Sequence, residues 1–161
     1  MTEDKDLFQK ALNFAYFYLK FRPRTQKEIV KYLEKKSQKY HFSPIIIKKV
    51  TQHLIEVNLI NDSEFISLFI QQRNSFKPKS KFILSQELIR FGVSKELIDQ
   101  YFSKHETDEF QLAKKALTNR KIILSQINTK KGYQKAFNFL LRRGFSFEIV
   151  KKTIAELIDK E

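Results

Sequence analysis

The chain has 161 residues and carries 31 lysines and arginines against 18 aspartates and glutamates, a net charge of +13. It has no cysteine, which excludes both a disulfide framework and a thiolate metal site. The first six residues, MTEDKD, are acidic where a secretory signal peptide is basic, and the longest apolar run, Phe14–Leu19, is too short to span a bilayer. We therefore expect a soluble cytoplasmic protein with no membrane partner.

The first sixty residues predict three helices. The stretch LFQKALNFAYFYL places apolar groups at three- and four-residue steps, which is typical of a helix. A second helix follows Thr25, because Thr25 and Glu28 form the pattern of a capping box. A third follows Ser43, an N-cap residue with a proline directly after it. The turn between these two helices, Ser37–Phe42, is long enough to need no glycine.

The middle of the chain predicts three more helices. The stretch SEFISLFIQQR has helical spacing, and Asn61 is a suitable N-cap for it. The segment Lys79–Phe91 also has helical spacing and stops at Gly92, the residue type that most easily adopts the left-handed conformation after a helix. Val93 can then fold back on the last turn, and Ser94 can cap the next helix.

The last third repeats this pattern. The stretch EFQLAKKALTNRKIIL predicts one helix with Thr107 as its N-cap. A second helix stops at Gly144, after which Phe145 can pack back and Ser146 can cap a third. The sequence around Gly144, LLRRGFSFEIV, is a near copy of LIRFGVSKELI, 52 positions earlier.

These elements predict an all-α protein, since no strand-like alternation bounded by turn residues is present. We predict three tandem three-helix repeats, at residues 1–60, 61–105 and 106–161, in one continuous domain. One such unit cannot bury its apolar face alone, so we expect the repeats to stack into an elongated, curved array. Because the repeats already cover one another, we expect a monomer.

The charge is uneven along the chain. Residues 1–60 carry a net charge of +6 and residues 111–161 a net charge of +8, while residues 61–110 carry −1. Two basic ends indicate a polyanionic partner, either nucleic acid or an acidic protein assembly. The alternative is that the charge serves only solubility.

No enzyme chemistry is predicted. The three glycines are too far apart to form a phosphate-binding loop, and the three histidines share no metal-ligand spacing. Asp62 and Glu64 lie beside the N-cap Asn61, where they are typical first-turn acids rather than a catalytic pair. We predict no catalytic residue, no metal site and no cofactor.

The chain is rich in aromatic residues, with 16 phenylalanines and six tyrosines. Aromatic side chains can stack on single-stranded bases. At helical spacing, however, most are typical core residues, and we predict none of them as a base-stacking group. The predicted core members are Phe8, Phe14, Phe65, Phe69, Phe110, Phe137 and Phe139.

Four segments stand in order along the chain: RPRTQKEI at 22–29, LINDSEF at 59–65, a long segment from Arg73 and FLLRRGFSFEIV from Phe139. Together they resemble the bacterial regulatory RecX family. The first is similar to that family's arginine-rich helix start, and the second to the opening of its second repeat. RNSFKPKSKFILSQELIRFGVSKELI from Arg73 resembles its central pattern, and FLLRRGFSFEIV from Phe139 its C-terminal signature. The resemblance covers nearly the whole chain.

The sequence departs from the family's pattern at four positions. Ser80 stands where the family usually has glycine, and Phe82 and Ile83 stand where it often has basic residues, although Gly132 keeps the glycine in the third repeat. Ile66 stands where alanine is usual. These changes reduce the basic character expected at the start of the middle helix.

The resemblance implies a protein that binds the groove of the RecA–DNA filament and lowers its ATPase, strand-exchange and co-protease activities. The implied partners are the RecA recombinase filament, single-stranded DNA and also double-stranded DNA. We hypothesise that basic side chains at helix ends contact DNA phosphates and acidic protein surface; the candidates are Arg22, Arg24, Arg73, Lys77, Lys79, Arg120, Lys121, Lys130, Lys131, Arg142 and Arg143. The alternative is a helical repeat that binds nucleic acid without RecA.

Overall fold

The computed structural model describes residues 2–158, which form ten α-helices and no strand. The prediction of an all-α helical-repeat fold is therefore confirmed. Within the described residues, no helix combines the length and the apolar character needed to cross a membrane. The helices are α1 (Thr2–Leu19), α2 (Gln26–Tyr40), α3 (Pro44–Glu56), α4 (Asp62–Phe76), α5 (Lys81–Arg90), α6 (Lys95–Lys104), α7 (Glu109–Thr118), α8 (Lys121–Leu124), α9 (Lys130–Arg142) and α10 (Phe147–Ile158).

The chain divides into two compact units, and the divisions fall within α4, α5 and α6. The first unit extends to Ser67 and includes Leu88–Ile98. In it, α1, α2 and α3 pack on one another. Their shared core consists of aliphatic and small side chains that water does not reach, among them Ala11, Ala15, Ile29, Leu33, Val50 and Leu54.

The second unit comprises Leu68–Glu87 and the residues from Asp99 onward. Here α10 packs on α7 and α9, and the short helix α8 packs on both of those helices. The core is again aliphatic, with Ala113, Leu117, Ile127, Ala136, Leu140, Val150 and Ile154 fully or almost fully buried.

Most predicted helix starts are confirmed. Thr25 Oγ1 accepts from the Glu28 N–H at 3.2 Å, and the Glu28 carboxylate accepts from the Thr25 N–H at 3.0 Å, which completes the capping box. Ser43 caps α3, and Asn61 accepts from the Glu64 N–H at 3.1 Å. Both predicted serine caps after the glycines, Ser94 and Ser146, also form their hydrogen bonds.

Three local predictions were wrong. Helix α2 continues to Tyr40, so the turn is much shorter than predicted; His41 adopts the left-handed conformation (φ 57°) that glycine usually provides. The N-cap of α7 is Asp108 rather than Thr107. The single helix predicted from Glu109 is broken into α7 and α8 at Asn119–Arg120, because Arg120 leaves the helical conformation (φ −107°, ψ 70°).

In the first unit, Gly92 lies against the start of α2. Its φ of +88° is left-handed, and a Cβ at this position would overlap the side chain of Lys27. The residue before it, Phe91, accepts a hydrogen bond from buried Thr25 Oγ1 at 2.6 Å. Gln26, the first residue of α2, donates its N–H to Asp62 Oδ1 at 2.9 Å. This glycine turn is therefore held by the N-terminal turn of another helix.

In the second unit, Gly144 lies in the same way against the start of α5. Its φ is +87°, and a Cβ would overlap Ile83 and Ser80. The carbonyl oxygen of Arg143 accepts from the Ser80 N–H at 3.0 Å. Lys81, the first residue of α5, donates its N–H to Glu109 Oε1 at 2.8 Å. The two glycine turns are thus built from equivalent contacts, which explains the near-copied sequences.

The predicted aromatic core members divide by burial. Phe65, Phe69 and Phe139 are buried. The other four are half-buried, and all of these except Phe110 pack against one of the two cores; they are Phe8, Phe14, Phe110 and Phe137. The prediction of core positions is therefore confirmed for all of these residues except Phe110.

Candidate nucleic-acid interface

In the first unit, the carboxylate of Glu28 binds two of the predicted cations. Arg22 donates to Glu28 through both terminal nitrogens, at 2.5 and 3.2 Å. Arg24 lies 3.6 Å from the same carboxylate and donates to the carbonyl oxygen of Tyr18 at 3.3 Å. Its side chain is only 12% exposed, and the guanidinium lies 3.8 Å from the centre of the Tyr18 ring. Since Glu28 also caps α2, this cluster ties the chain before α2 to the helix.

In the second unit, the carboxylate of Glu87 binds two more predicted cations. Arg73 Nε donates to Glu87 Oε2 at 3.0 Å, and Lys79 pairs with the other oxygen. The three side chains are 18 to 30% exposed, so the group lies at the surface but is largely shielded. Arg73 also lies 4.7 Å from the centre of the Phe69 ring.

Two further arginines join this second group without a carboxylate of their own. The guanidinium groups of Arg120 and Arg143 lie 5.3 and 5.1 Å from the centre of the Phe139 ring. Nη1 of Arg143 is buried, yet it has no hydrogen-bond partner among residues 2–158. A buried donor without a partner is uncommon and costs free energy, about 1–3 kcal/mol and more when charged. We call Arg73, Lys79, Arg120, Arg143 and Glu87 the arginine cluster.

The electrostatics of the arginine cluster show an excess of positive charge. Burial lowers the pKa of the Arg143 guanidinium, Arg120 lowers it further, and Glu87 offsets part of this effect. Burial alone would raise the pKa of Glu87, but the hydrogen bonds and charges of Lys79 and Arg73 outweigh it, so that pKa is lowered. One carboxylate therefore faces four cations, and an added anion would relieve the repulsion among them.

Three predicted lysines lie at the starts of helices. Lys121 is the first residue of α8, and Lys130 and Lys131 are the first two residues of α9. Neither helix has an acidic residue in its first turn. Because the N-terminus of a helix carries partial positive charge, cations in this position are unfavourable for the helix. Helix stability therefore does not explain these lysines, which are all exposed.

The remaining predicted cations stand apart from both carboxylates. Lys77 and Arg142 are exposed and follow or end helices α4 and α9. The sequence identified the arginines by residue type and Glu28 as a capping-box residue, but it did not show that Glu28 pairs with Arg22 and Arg24. Glu87 was not identified, because it has no local signal of this kind.

No group of three or more histidine, aspartate or glutamate side chains in the described part of the chain is arranged to hold a metal ion. The arrangement instead suits an anion with several oxygens, since the planar donors of arginine match phosphate and carboxylate groups. The fold and the cluster define an all-α protein of related helix groups with clustered basic side chains.

Comparison with known proteins identifies a family that the chain resembles. Residues 106–154 match the family described as RecX, third three-helix domain. The chain is 30% identical over 145 residues to a protein of Streptococcus uberis named regulatory protein RecX, which covers 89% of this chain and 54% of that protein. It is also 30% identical over 156 residues to the protein of the same name in Bacillus pumilus, over 96% of this chain and 57% of that one. The chain thus spans little more than half the length of these relatives.

The fold agrees with a solved structure. The crystal structure of RecX from Lactobacillus salivarius superposes with a TM-score of 0.75, at 22% identity, over 95% of this chain and 97% of the other. The chain therefore resembles regulatory protein RecX over most of its length, as the sequence predicted.

Proposed function

We propose that this chain is a regulator that binds the RecA–DNA filament and lowers its ATPase, strand-exchange and co-protease activities. The resemblance to RecX supports the class of partner, because the named relatives are regulatory proteins. The net charge of +13 supports an anionic partner such as a nucleoprotein filament. The observation that carries the proposal is the buried, unpartnered Nη1 of Arg143 within the arginine cluster.

The arginine cluster supports anion binding for a physical reason. Burial lowers the pKa of the Arg143 guanidinium most, and repulsion from Arg120 and Arg73 lowers it further. A phosphate or carboxylate oxygen would give Arg143 Nη1 a charge-assisted hydrogen bond and would reduce that repulsion. Charged hydrogen bonds contribute about 1.5–3 kcal/mol. We propose that this cluster receives a DNA phosphate or an acidic side chain of the filament.

The lysines at helix starts extend the proposed surface. Lys121, Lys130 and Lys131 cost some helix stability in this position, whereas each could neutralise a phosphate. Their contribution can be tested by Lys130→Gln combined with Lys131→Gln. A matched control is Lys48→Gln combined with Lys49→Gln, because these lysines are also adjacent and exposed, lie within α3, and removing them changes the charge equally.

The experiment is a titration of the chain into the single-stranded-DNA-dependent ATPase reaction of the cognate RecA, at fixed salt and saturating DNA. We expect ATPase activity to fall at well below one chain per RecA subunit, with the Lys130/Lys131 variant weaker and the Lys48/Lys49 variant unchanged. No effect at equimolar chain, together with salt-dependent binding to bare DNA, would favour the alternative of a RecA-independent nucleic-acid-binding repeat.

A further inference from the structure

The end of α1 carries aromatic side chains outside the core. Phe17 and Phe21 are 59% and 65% exposed, and Tyr16 is 39% exposed. The rings of Phe17 and Phe21 meet edge to face, with their centres 5.2 Å apart. None of these three residues belongs to the apolar cluster of the first unit. Their exposure therefore contributes nothing to the core and leaves a large apolar surface in water.

An open groove of about 400 Å³ lies beside Phe17. Phe14, Phe17 and Tyr32 form its apolar surface, and Lys10, Asn13 and Lys36 complete the lining. We call this the aromatic groove. Its aromatic residues lie on two helices, α1 and α2, whose packing in the first unit fixes their positions.

Two lysines of the aromatic groove lie close to aromatic rings. The ammonium group of Lys36 lies 5.0 Å from the centre of the Phe14 ring and 5.5 Å from that of Tyr32. Lys10 lies 4.4 Å from the centre of the Tyr40 ring. Neither lysine takes part in an ion pair among the described residues. The groove therefore offers flat apolar rings with unneutralised positive charge beside them.

This combination selects one kind of ligand. Single-stranded nucleic acid presents unpaired bases, which stack on aromatic rings, and phosphates, which bind lysines. A duplex keeps its bases stacked inside, so it could use the lysines but not the rings. An acidic protein surface would likewise leave Phe17 and Phe21 without matching apolar partners.

We propose that the aromatic groove, together with the ring of Phe21 that contacts Phe17 beside it, binds single-stranded nucleic acid, with bases stacked on Phe17 and Phe21 and phosphates held by Lys10 and Lys36. The site lies in the first unit and uses none of the residues of the arginine cluster. It requires no RecA, so it stands or fails separately from the proposed function.

The test compares a labelled oligothymidine of about 12 nucleotides with an abasic oligonucleotide of the same length, by fluorescence anisotropy in the absence of RecA. Because base–aromatic stacking is worth about 1–3 kcal/mol per base, we expect the oligothymidine to bind at least about tenfold more tightly. Phe17→Ala combined with Phe21→Ala should remove this preference without changing the dependence of affinity on salt. Phe82→Ala, which alters an exposed phenylalanine of the second unit, should leave the preference unchanged.

A second variant separates the lysines from the rings. Lys10→Gln combined with Lys36→Gln should lower the slope of log affinity against log salt by about 0.7 for each lost phosphate contact, and should keep the preference for bases over abasic sites. Thermal unfolding of each variant followed by circular dichroism checks that the fold is retained.

A direct readout is available because the chain has no tryptophan. Phe17→Trp keeps an aromatic ring and should retain the preference, and its emission should be quenched by oligothymidine but not by the abasic strand. Equal affinity of the unaltered chain for the two oligonucleotides would overturn the proposal. So would a concentration-dependent dimer in sedimentation that the Phe17/Phe21 variant abolishes, since a second copy would then cover this surface.

Discussion

The two carboxylate-centred clusters look alike but are not equivalent. Glu28 lies in the first turn of α2, and its carboxylate pairs with Arg22 and Arg24 and accepts a hydrogen bond from the N–H of Thr25. Glu87 lies near the end of α5 and binds Arg73 and Lys79, while Arg120 and Arg143 remain beside them. The first cluster completes a helix cap, whereas the second leaves positive charge unmatched. Basic residues of similar sequence context can therefore have a structural role in one unit and be available for a ligand in the other.

The two glycine turns give the largest expected effects on stability. Gly144→Ala would place a Cβ against the branched side chain of Ile83 and against buried Ser80, at a left-handed φ. We expect a loss of about 2–4 kcal/mol in the free energy of unfolding. Gly92→Ala should cost at least as much, because the added Cβ would lie 2.5 Å from Cβ of Lys27, an atom whose position is fixed by the backbone of α2. Urea unfolding of both variants checks this, and a clearly smaller loss for Gly92→Ala would contradict it.

Substitutions of Thr25 and Ser80, the residues that the two glycine turns contact, should differ in their effect on the free energy of unfolding. Thr25 Oγ1 both caps α2 and donates to Phe91, so Thr25→Val removes two hydrogen bonds from a fully buried site. The loss should be about 2 kcal/mol. Ser80→Ala should cost only about 1 kcal/mol, because Ser80 contacts Arg143 through its backbone N–H, which the substitution keeps. A larger loss for Ser80→Ala in urea unfolding would contradict this comparison.

The smallest effect concerns acid stability. Because the pKa of Glu87 is lowered in the folded chain, its stabilising contribution is present above its ordinary value of 4.5 and is lost as pH falls through the folded value. Burial raises the pKa of Asp62; the hydrogen bond from the Gln26 N–H opposes this increase and the charge of Glu28 adds to it. The effect of Asp62 on stability is therefore opposite to that of Glu87, because its contribution to stability is lost as pH rises above its ordinary value of 3.8. Urea unfolding between pH 3 and 7 should show a weaker acid-induced loss for Glu87→Gln and a stronger one for Asp62→Asn. Parallel curves for both variants would contradict the assignment.

Local chemistry allowed much of the fold to be predicted. Thr25, Ser43, Gly92 and Gly144 were each identified from capping or left-handed preferences that act over a few residues. The left-handed conformation of His41 was not predicted, because the helical pattern continues to that residue and no nearby glycine indicates the end of α2. Thr107 and Asp108 are adjacent residues that both suit an N-cap, so only the position of the Gln111 N–H distinguishes them.

The candidate site was less predictable because it depends on distant residues. Arg73 and Glu87 are 14 positions apart, and Arg143 meets them only through the packing of α9. Residue type indicated these arginines as candidates for anion contacts, but it could not show which of them already pair with a carboxylate. Phe17 and Phe21 were not among the predicted core residues, but residue type and spacing did not show that their rings are exposed.

The central claim is that the arginine cluster is built for an anionic ligand, whereas the Glu28 cluster supports the fold. The most direct measurement pairs Arg143→Gln with Arg24→Gln, and records for each the free energy of unfolding and the affinity for single-stranded DNA. We expect Arg143→Gln to weaken binding about tenfold with little loss of stability, because it removes a charge from a repulsive group. Arg24→Gln should lower stability and leave binding nearly unchanged. If Arg143→Gln instead destabilised the chain and left DNA affinity intact, the arginine cluster would be structural and the account would be wrong.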